Sequence, residues 1–189
     1  MKITLPPFVL VALFASLFLV PLSSLAQEQQ TAFPDLKGED PSVEAITWMK
    51  AEGIVQGYPD GTFKSLNKIN RAEFMKIVVE AVEEDSNIKG INCFPDVKKE
   101  WFSKYVCKGK EMGLVSGYPD GTFQPANDIN FAEASKIITV ALELEKGETN
   151  RGDPWYRPFV MPLSAEGAIP VSITDLDKPI ARGEMAEII

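Results

Sequence analysis

The sequence predicts a mostly α-helical protein built of tandem helix–loop–helix repeats. Three observations predict it. The run Gly57–Phe63, GYPDGTF, returns unchanged at Gly117–Phe123, and internal repetition of this kind marks an array of small units. Each run leads into Ile-Asn-x-Ala-Glu, at Ile69–Glu73 and Ile129–Glu133; Asn with Glu three residues later can cap a helix reciprocally. Apolar stripes follow: Phe74, Ile77, Val78 and Ala81 in one copy, Ala134, Ile137, Ile138 and Ala141 in the other. That is the i, i+3, i+4, i+7 spacing of a one-sided helix. One such unit holds little core of its own, so the copies must pack on one another to bury their stripes.

The elements run in order. Residues 1–26 read as a secretory signal peptide: Lys2, an apolar stretch from Phe8 to Val20, then small residues at Ser24 and Ala26. The apolar stretch is short for a membrane span, and the mature chain is expected to have no membrane segment. Residues 27–32 form a short polar linker, 33–84 the first repeat, 85–92 a linker, 93–145 the second repeat, 146–152 a linker and 153–189 a third, divergent repeat. In the first two repeats Phe33-Pro34-Asp35-Leu36 matches Phe94-Pro95-Asp96-Val97. An amphipathic helix is expected after each, over 41–52 and 101–112. Gly53 and Gly113 then stand where a helix C-terminus favours glycine. The third repeat keeps Trp155-Tyr156, Phe159-Val160, Gly167-Ala168-Ile169 and Ile180-Ala181-Arg182-Gly183-Glu184-Met185. It replaces the GYPDGTF loop with the shorter 169–178 segment, and Ala181 removes the Asn cap. The sequence stops at Ile189, part-way along a helix that is longer in the other copies, which reads as a truncated chain.

Composition removes several function classes. The chain has no histidine, hence no Ser–His or Cys–His nucleophile and not the commonest metal ligand. Its net charge of −8 disfavours nonspecific nucleic-acid binding, which needs a basic surface. Neither a metal nor a cofactor is expected. The two cysteines, Cys93 and Cys107, lie in the second repeat; in an exported chain an even count suggests a disulfide. The alternatives are a redox site or a metal site; two thiols at this spacing with no histidine make a weak zinc site.

Tyr58-Pro59-Asp60-Gly61 has the chemistry of a tight turn, with Pro presetting φ at the second position. Tyr58 and Phe63 are expected to fold back onto the helices as core plugs. The loop itself reads as a scaffold between helices rather than as a ligand contact. One acidic residue before Gly61 is too few for a calcium loop. Glu73 and Glu133 read as helix caps, not catalytic carboxylates.

Phe-Pro-Asp-Val, Trp-Phe, Gly-Leu-Val-x-Gly-Tyr-Pro-Asp-Gly-Thr-Phe and Ile-Asn-x-Ala-Glu together resemble the S-layer homology domain. The resemblance covers nearly all of the mature chain in three tandem copies. It implies a pseudo-threefold, three-pronged unit that attaches exported proteins noncovalently to the cell wall, at the cell surface or in an S-layer. The implied partner is a cell-wall polysaccharide or peptidoglycan-linked polymer, often bearing ketal-linked pyruvate, held in grooves between copies. By resemblance Arg71 is the leading anion contact, with Lys68 just before it and Arg182 at the matching place in the third copy. Asp35 and Asp96 would orient an arginine or accept sugar hydroxyls. Trp101 and Trp155 match the family's aromatic near the first helix; for Trp101 a core role is the simpler expectation. The chain also departs from the pattern: Phe131 stands where an arginine should be, Pro41 where the tryptophan should be, and the third copy lacks the loop. One or two working grooves are therefore expected, not three. Two competing readings are a structural layer protein that self-associates through its repeats, and an enzyme acting on wall glycan. The second lacks a nucleophile motif, and its candidate carboxylates are accounted for by caps and turns.

Overall fold

The computed structural model describes residues 31–83 and 87–189; the expected signal peptide and most of the first linker lie outside them. Six helices form: α1 Val43–Ala51, α2 Arg71–Val82, α3 Ser103–Glu111, α4 Phe131–Ala141, α5 Arg157–Ala165 and α6 Arg182–Ile188. Among the described residues there is no strand, and no helix is long and apolar enough to cross a membrane. The mostly helical expectation holds. The helices pair as three helix–loop–helix units, α1/α2, α3/α4 and α5/α6.

The starts of α2 and α4 obey the capping logic of the sequence. Asn70 Oδ1 accepts from Glu73 N–H at 2.9 Å and Asn130 Oδ1 from Glu133 N–H at 2.8 Å, while the glutamates reach back to the Asn N–H groups. At α6 half of the device survives: Ala181 N–H donates to Glu184 Oε2 at 2.6 Å, and alanine offers no acceptor in return. The buried face of α2 includes Phe74, Ile77 and Val78, and that of α4 Ala134, Ile137 and Ile138.

The three units close into a ring. Ile69 N–H donates to Ile180 O at 3.2 Å, Ile180 N–H to Ile129 O at 3.0 Å, and Ile129 N–H to Ile69 O at 3.1 Å. All three isoleucines are fully buried, so this triangle of backbone bonds is a pseudo-threefold hub. A helix begins with free N–H groups, and the ring meets some of those of α2, α4 and α6. Arg71 and Ala72 of α2 donate to Asn127 O and Pro125 O of the second unit. Ala132 of α4 donates to Leu176 O of the third unit, and Arg182 and Gly183 of α6 donate to Asn67 O and Ser65 O of the first. The helices pack by the same exchange: α2 lies on α3, α4 on α5, and α6 on α1. Each two-helix prong thus joins the second helix of one unit to the first helix of the next.

Within the second unit Cys93 and Cys107 form a disulfide, with Cα atoms 5.4 Å apart. It ties the segment before Phe94 to α3.

Candidate functional site

The GYPDGTF loop is a turn clasped at both ends. Gly61 N–H donates to Tyr58 O at 2.9 Å, and Tyr58 N–H to Thr62 O at 2.8 Å; Gly121 and Tyr118 repeat this in the second unit. Gly57 and Gly117 sit at φ 75° and 80°. A Cβ at Gly57 would stand 2.5 Å from Phe33 Cε1 and 2.7 Å from Thr62 O, and Gly117 is equally tight against Phe94. Only glycine satisfies both the backbone conformation and the close approach. Phe63 and Phe123 are fully buried against Phe33 and Phe94, with ring centroids 5.3 and 5.6 Å apart.

Asp35 and Asp96 fasten this loop. The Asp35 carboxylate accepts from Phe63 N–H at 2.9 Å and Lys64 N–H at 2.7 Å. Asp96 accepts from Phe123 N–H at 2.9 Å and Gln124 N–H at 2.7 Å. Each oxygen of both carboxylates is thus engaged by backbone. Their part is to hold the loop, and they act on the arginines only through it.

The carbonyls of the fastened phenylalanines face the arginines. Arg71 Nε donates to Phe123 O at 2.9 Å, and Arg182 Nε to Phe63 O at 3.0 Å. Both arginines are only 6% exposed. The Arg71 guanidinium lies 4.6 Å from the Tyr118 ring and 4.8 Å from that of Phe123; Arg182 lies 4.7 and 4.8 Å from Tyr58 and Phe63. Each also faces a capping glutamate: Arg71 Nη1 to Glu133 at 3.4 Å, Arg182 Nη1 to Glu73 at 3.9 Å. Those glutamates accept the tyrosine hydroxyls, Tyr118 at 2.6 Å and Tyr58 at 3.4 Å. Burial, reinforced by the bond to Glu133, pushes the Tyr118 phenol up to about 12; burial raises Tyr58 as well, against the opposing pull of Arg182. Both phenols stay protonated at neutral pH and remain donors. Among the described residues, the hydrogen bond and the ion pair of each arginine use Nε and Nη1. A guanidinium has five N–H donors, so part of each fork takes no part in these bonds.

Two grooves result. The Arg71 groove, of about 460 Å³, is lined by Gly117, Tyr118, Pro119, Glu133, Lys136 and Trp155 among others. The Arg182 groove, of about 450 Å³, is lined by Gly57, Tyr58, Pro59, Glu73, Lys76 and Trp101 among others. Trp155 and Trp101 are 55% and 58% exposed. Each groove draws on all three units: an arginine from one, the loop and glutamate from the next, a tryptophan from the third.

Several expectations change. Trp101 is not core; it stands at a groove rim, in T-shaped contact with Phe102. Tyr58 is not a core plug, because its hydroxyl serves Glu73 while its ring covers Arg182; only Phe63 fills the core. The loop is not merely scaffold, since its Gly-Tyr-Pro segment walls the groove. The third unit lacks the loop, yet its Arg182 works with the loop of the first unit. Lys68 is exposed and lines neither groove; its backbone bridges to Ala181 instead. The lysines that do line the grooves, Lys76 and Lys136, lie five residues after the arginine position. Helical spacing from Glu73 and Glu133 places them there, one turn on along the same face.

A larger hollow of about 640 Å³ lies against α1, lined by Asp40, Pro41, Glu44, Thr47 and Trp48 among others. Among the described residues no cationic side chain lines it, so it lacks the chemistry of the two grooves.

The sequence matches the family model for the S-layer homology domain at residues 32–75 and 94–135. The chain belongs to the S-layer homology family. It is similar to cell surface glycoprotein 1 of Acetivibrio thermocellus, 35% identical over 72% of this chain and 6% of that protein. It is 32% identical to the cellulosome-anchoring protein of the same organism, over 69% of this chain and 30% of the relative. The middle cell wall protein of Brevibacillus brevis is 29% identical over 92% of this chain and 16% of its own length. The chain thus spans less than a third of each of these proteins. Family membership carries the coarse function and place: a surface-anchoring module of the cell wall or S-layer.

Proposed function

We propose that the two grooves bind a wall-linked glycan and that this contact anchors the protein. The observation that carries the reading is the pair of buried guanidiniums, each stacked on two aromatic rings, partly free of partners, and open to a groove rimmed by an exposed tryptophan. A carboxylate on a sugar, such as ketal-linked pyruvate, suits such a fork, because arginine binds carboxylates through paired N–H groups. The sugar ring would lie against the indole of Trp155 or Trp101. Stacking by the aromatic rings and the fixed Nε bond preorganise each arginine, which lowers the ordering cost of binding. The α5/α6 unit is read as a third, divergent repeat that supplies Arg182 and Trp155 and closes the ring. Residues 1–26 are read as its export signal.

The test is sedimentation of the purified protein with wall sacculi before and after the wall polymer is stripped. Binding is expected to vanish with the polymer, and to fall at least tenfold in the Arg71→Ala, Arg182→Ala double variant. Binding that survives stripping overturns the glycan reading; unchanged binding by the double variant overturns the site.

A further inference from the structure

The two grooves differ in one lysine, and we infer that the Arg71 groove alone is selective for an anionic glycan. This rests on the glycan reading above and concerns which groove reads the charge. Lys136 and Lys76 hold matching places, each five residues after the arginine position of its helix and each on a groove wall. Lys76 is already engaged: its ammonium lies 3.1 Å from Glu80 Oε2, one helical turn away. Glu80 is itself held from the other side, by the Tyr105 hydroxyl at 2.8 Å. Burial together with that bond pushes the Tyr105 phenol up to about 12, so the clamp persists across neutral pH.

In the second helix of the next unit this device is missing. The position that matches Glu80 is Val140, and the position that matches Tyr105 is Phe159. Among the described residues Lys136 has no ion pair. The charges follow. The Arg71 groove sets Arg71 and Lys136 against Glu133, leaving one net positive charge. The Arg182 groove sets Arg182 and Lys76 against Glu73 and the clamping Glu80, leaving none. A carboxylate-bearing sugar is therefore drawn to the Arg71 groove, while the Arg182 groove accepts charged and neutral sugars alike. Lys136 is the specificity-determining residue, and Glu80 is the residue that withholds Lys76 from the ligand.

The experiment is calorimetric titration of the purified protein with two probes: a methyl glycoside bearing ketal-linked pyruvate, and its uncharged methyl ester. Indole N–H resonances of Trp155 and Trp101 assign each binding event to its groove. Lys136→Gln is expected to weaken the acid probe at Trp155 about tenfold, the scale of one hydrogen bond to a charged group, and to leave the ester within twofold. Lys76→Gln is expected to weaken the acid probe at Trp101 several-fold less than Lys136→Gln weakens it at Trp155, because Lys76 is already turned to Glu80, and to leave the ester within twofold. Glu80→Gln, which frees Lys76, is expected to strengthen the acid probe at Trp101 several-fold without affecting the ester. Equal losses from Lys76→Gln and Lys136→Gln, or no gain from Glu80→Gln, overturn the inference and leave the glycan reading standing. No binding of either probe by the unmodified chain overturns both. Glu80→Gln keeps an acceptor for the Tyr105 hydroxyl, and circular dichroism checks that each variant is folded.

Discussion

Replacing Asp96 by alanine should damage both the fold and the Arg71 groove. Its carboxylate receives Phe123 N–H at 2.9 Å and Gln124 N–H at 2.7 Å. Hydrogen bonds to a charged group contribute about 1.5–3 kcal/mol each; the half-buried position of Asp96 argues for the lower end. Alanine removes both and leaves the N–H of Phe123, a fully buried residue, without its partner. Gln124 sits at φ 57°, a conformation that costs a non-glycine residue roughly 1–2 kcal/mol, and the second bond offsets that cost. The expected loss is about 3 kcal/mol, a large share of the roughly 5–15 kcal/mol typical of a domain. Urea unfolding followed by circular dichroism measures it. Asp96→Asn keeps one acceptor oxygen and should lose about half as much. The consequence reaches the site because Phe123 presents its carbonyl to Arg71 Nε; sacculus binding should fall in step. A loss below about 0.5 kcal/mol for Asp96→Ala, or an Asn variant as damaged as the Ala variant, would refute the reasoning.

Three further outcomes are expected. Reducing the disulfide, or replacing Cys93 and Cys107 by serine, reopens a loop of sequence separation 14 and should cost about 3 kcal/mol in the chain-entropy model. At the roughly 2–4 °C per kcal/mol of a chain this size, melting should drop by roughly 6–12 °C; calorimetry that shows no drop contradicts it. Gly57→Ala meets Phe33 and Thr62 at φ 75°, whereas Gly61→Ala at φ 81° meets open space. Gly57→Ala should therefore cost more than about 2 kcal/mol and Gly61→Ala about 1 kcal/mol, and equal costs in the same unfolding assay would be the wrong result. Absorbance titration near 295 nm should find Tyr105 and Tyr118 ionising last, near pH 12. Their folded pKa lies above the unfolded value, so their contribution to stability is complete below about pH 10. It is lost as pH rises from there through 12. Tyrosines that all ionise together near pH 10 in the folded protein would contradict it.

Much of this was legible because it is local. Asn70 and Glu73 lie within one helical turn, and so do Asn130 and Glu133; the chemistry of a capping box needs nothing beyond that window. The stripes that begin at Phe74 and Ala134 show which helix face is buried. Tyr58-Pro59-Asp60-Gly61 shows its turn. What stayed hidden is whatever joins distant residues. Nothing near Asp35 says that its two oxygens meet the backbone of Phe63 and Lys64. Nothing near Arg182 says that its partners are Phe63, Tyr58 and Glu73 of another unit. The indole of Trp101 looked like core because a large apolar ring at the start of an amphipathic helix usually is; its exposure follows from a groove that the ring of units creates. Lys76 and Lys136 were readable in principle, one turn beyond the capping glutamates, once those glutamates were placed at the groove.

The exchange between units also gives the departures from the repeat pattern a single meaning. Along the sequence they look scattered: Phe131 in the second unit, the short 169–178 loop in the third, Pro41 in the first. In the ring an arginine-position residue meets the loop of the next unit and the tryptophan-position residue of the one after. Arg71 meets the second unit's loop and Trp155; Arg182 meets the first unit's loop and Trp101. The remaining combination is Phe131, the third unit's loop and Pro41. The structure follows the same cycle there: Ala132 N–H donates to Leu176 O, and α6 packs on α1. All three departures therefore fall at one junction. Phe131 is 0% exposed, so an apolar ring stands where the other two junctions have a stacked guanidinium, and the matching sequence positions offer neither GYPDGTF nor a tryptophan. Three units with one departure each could have left every groove damaged. Placed at one junction, the same three changes leave two grooves with every part present and convert the third into core.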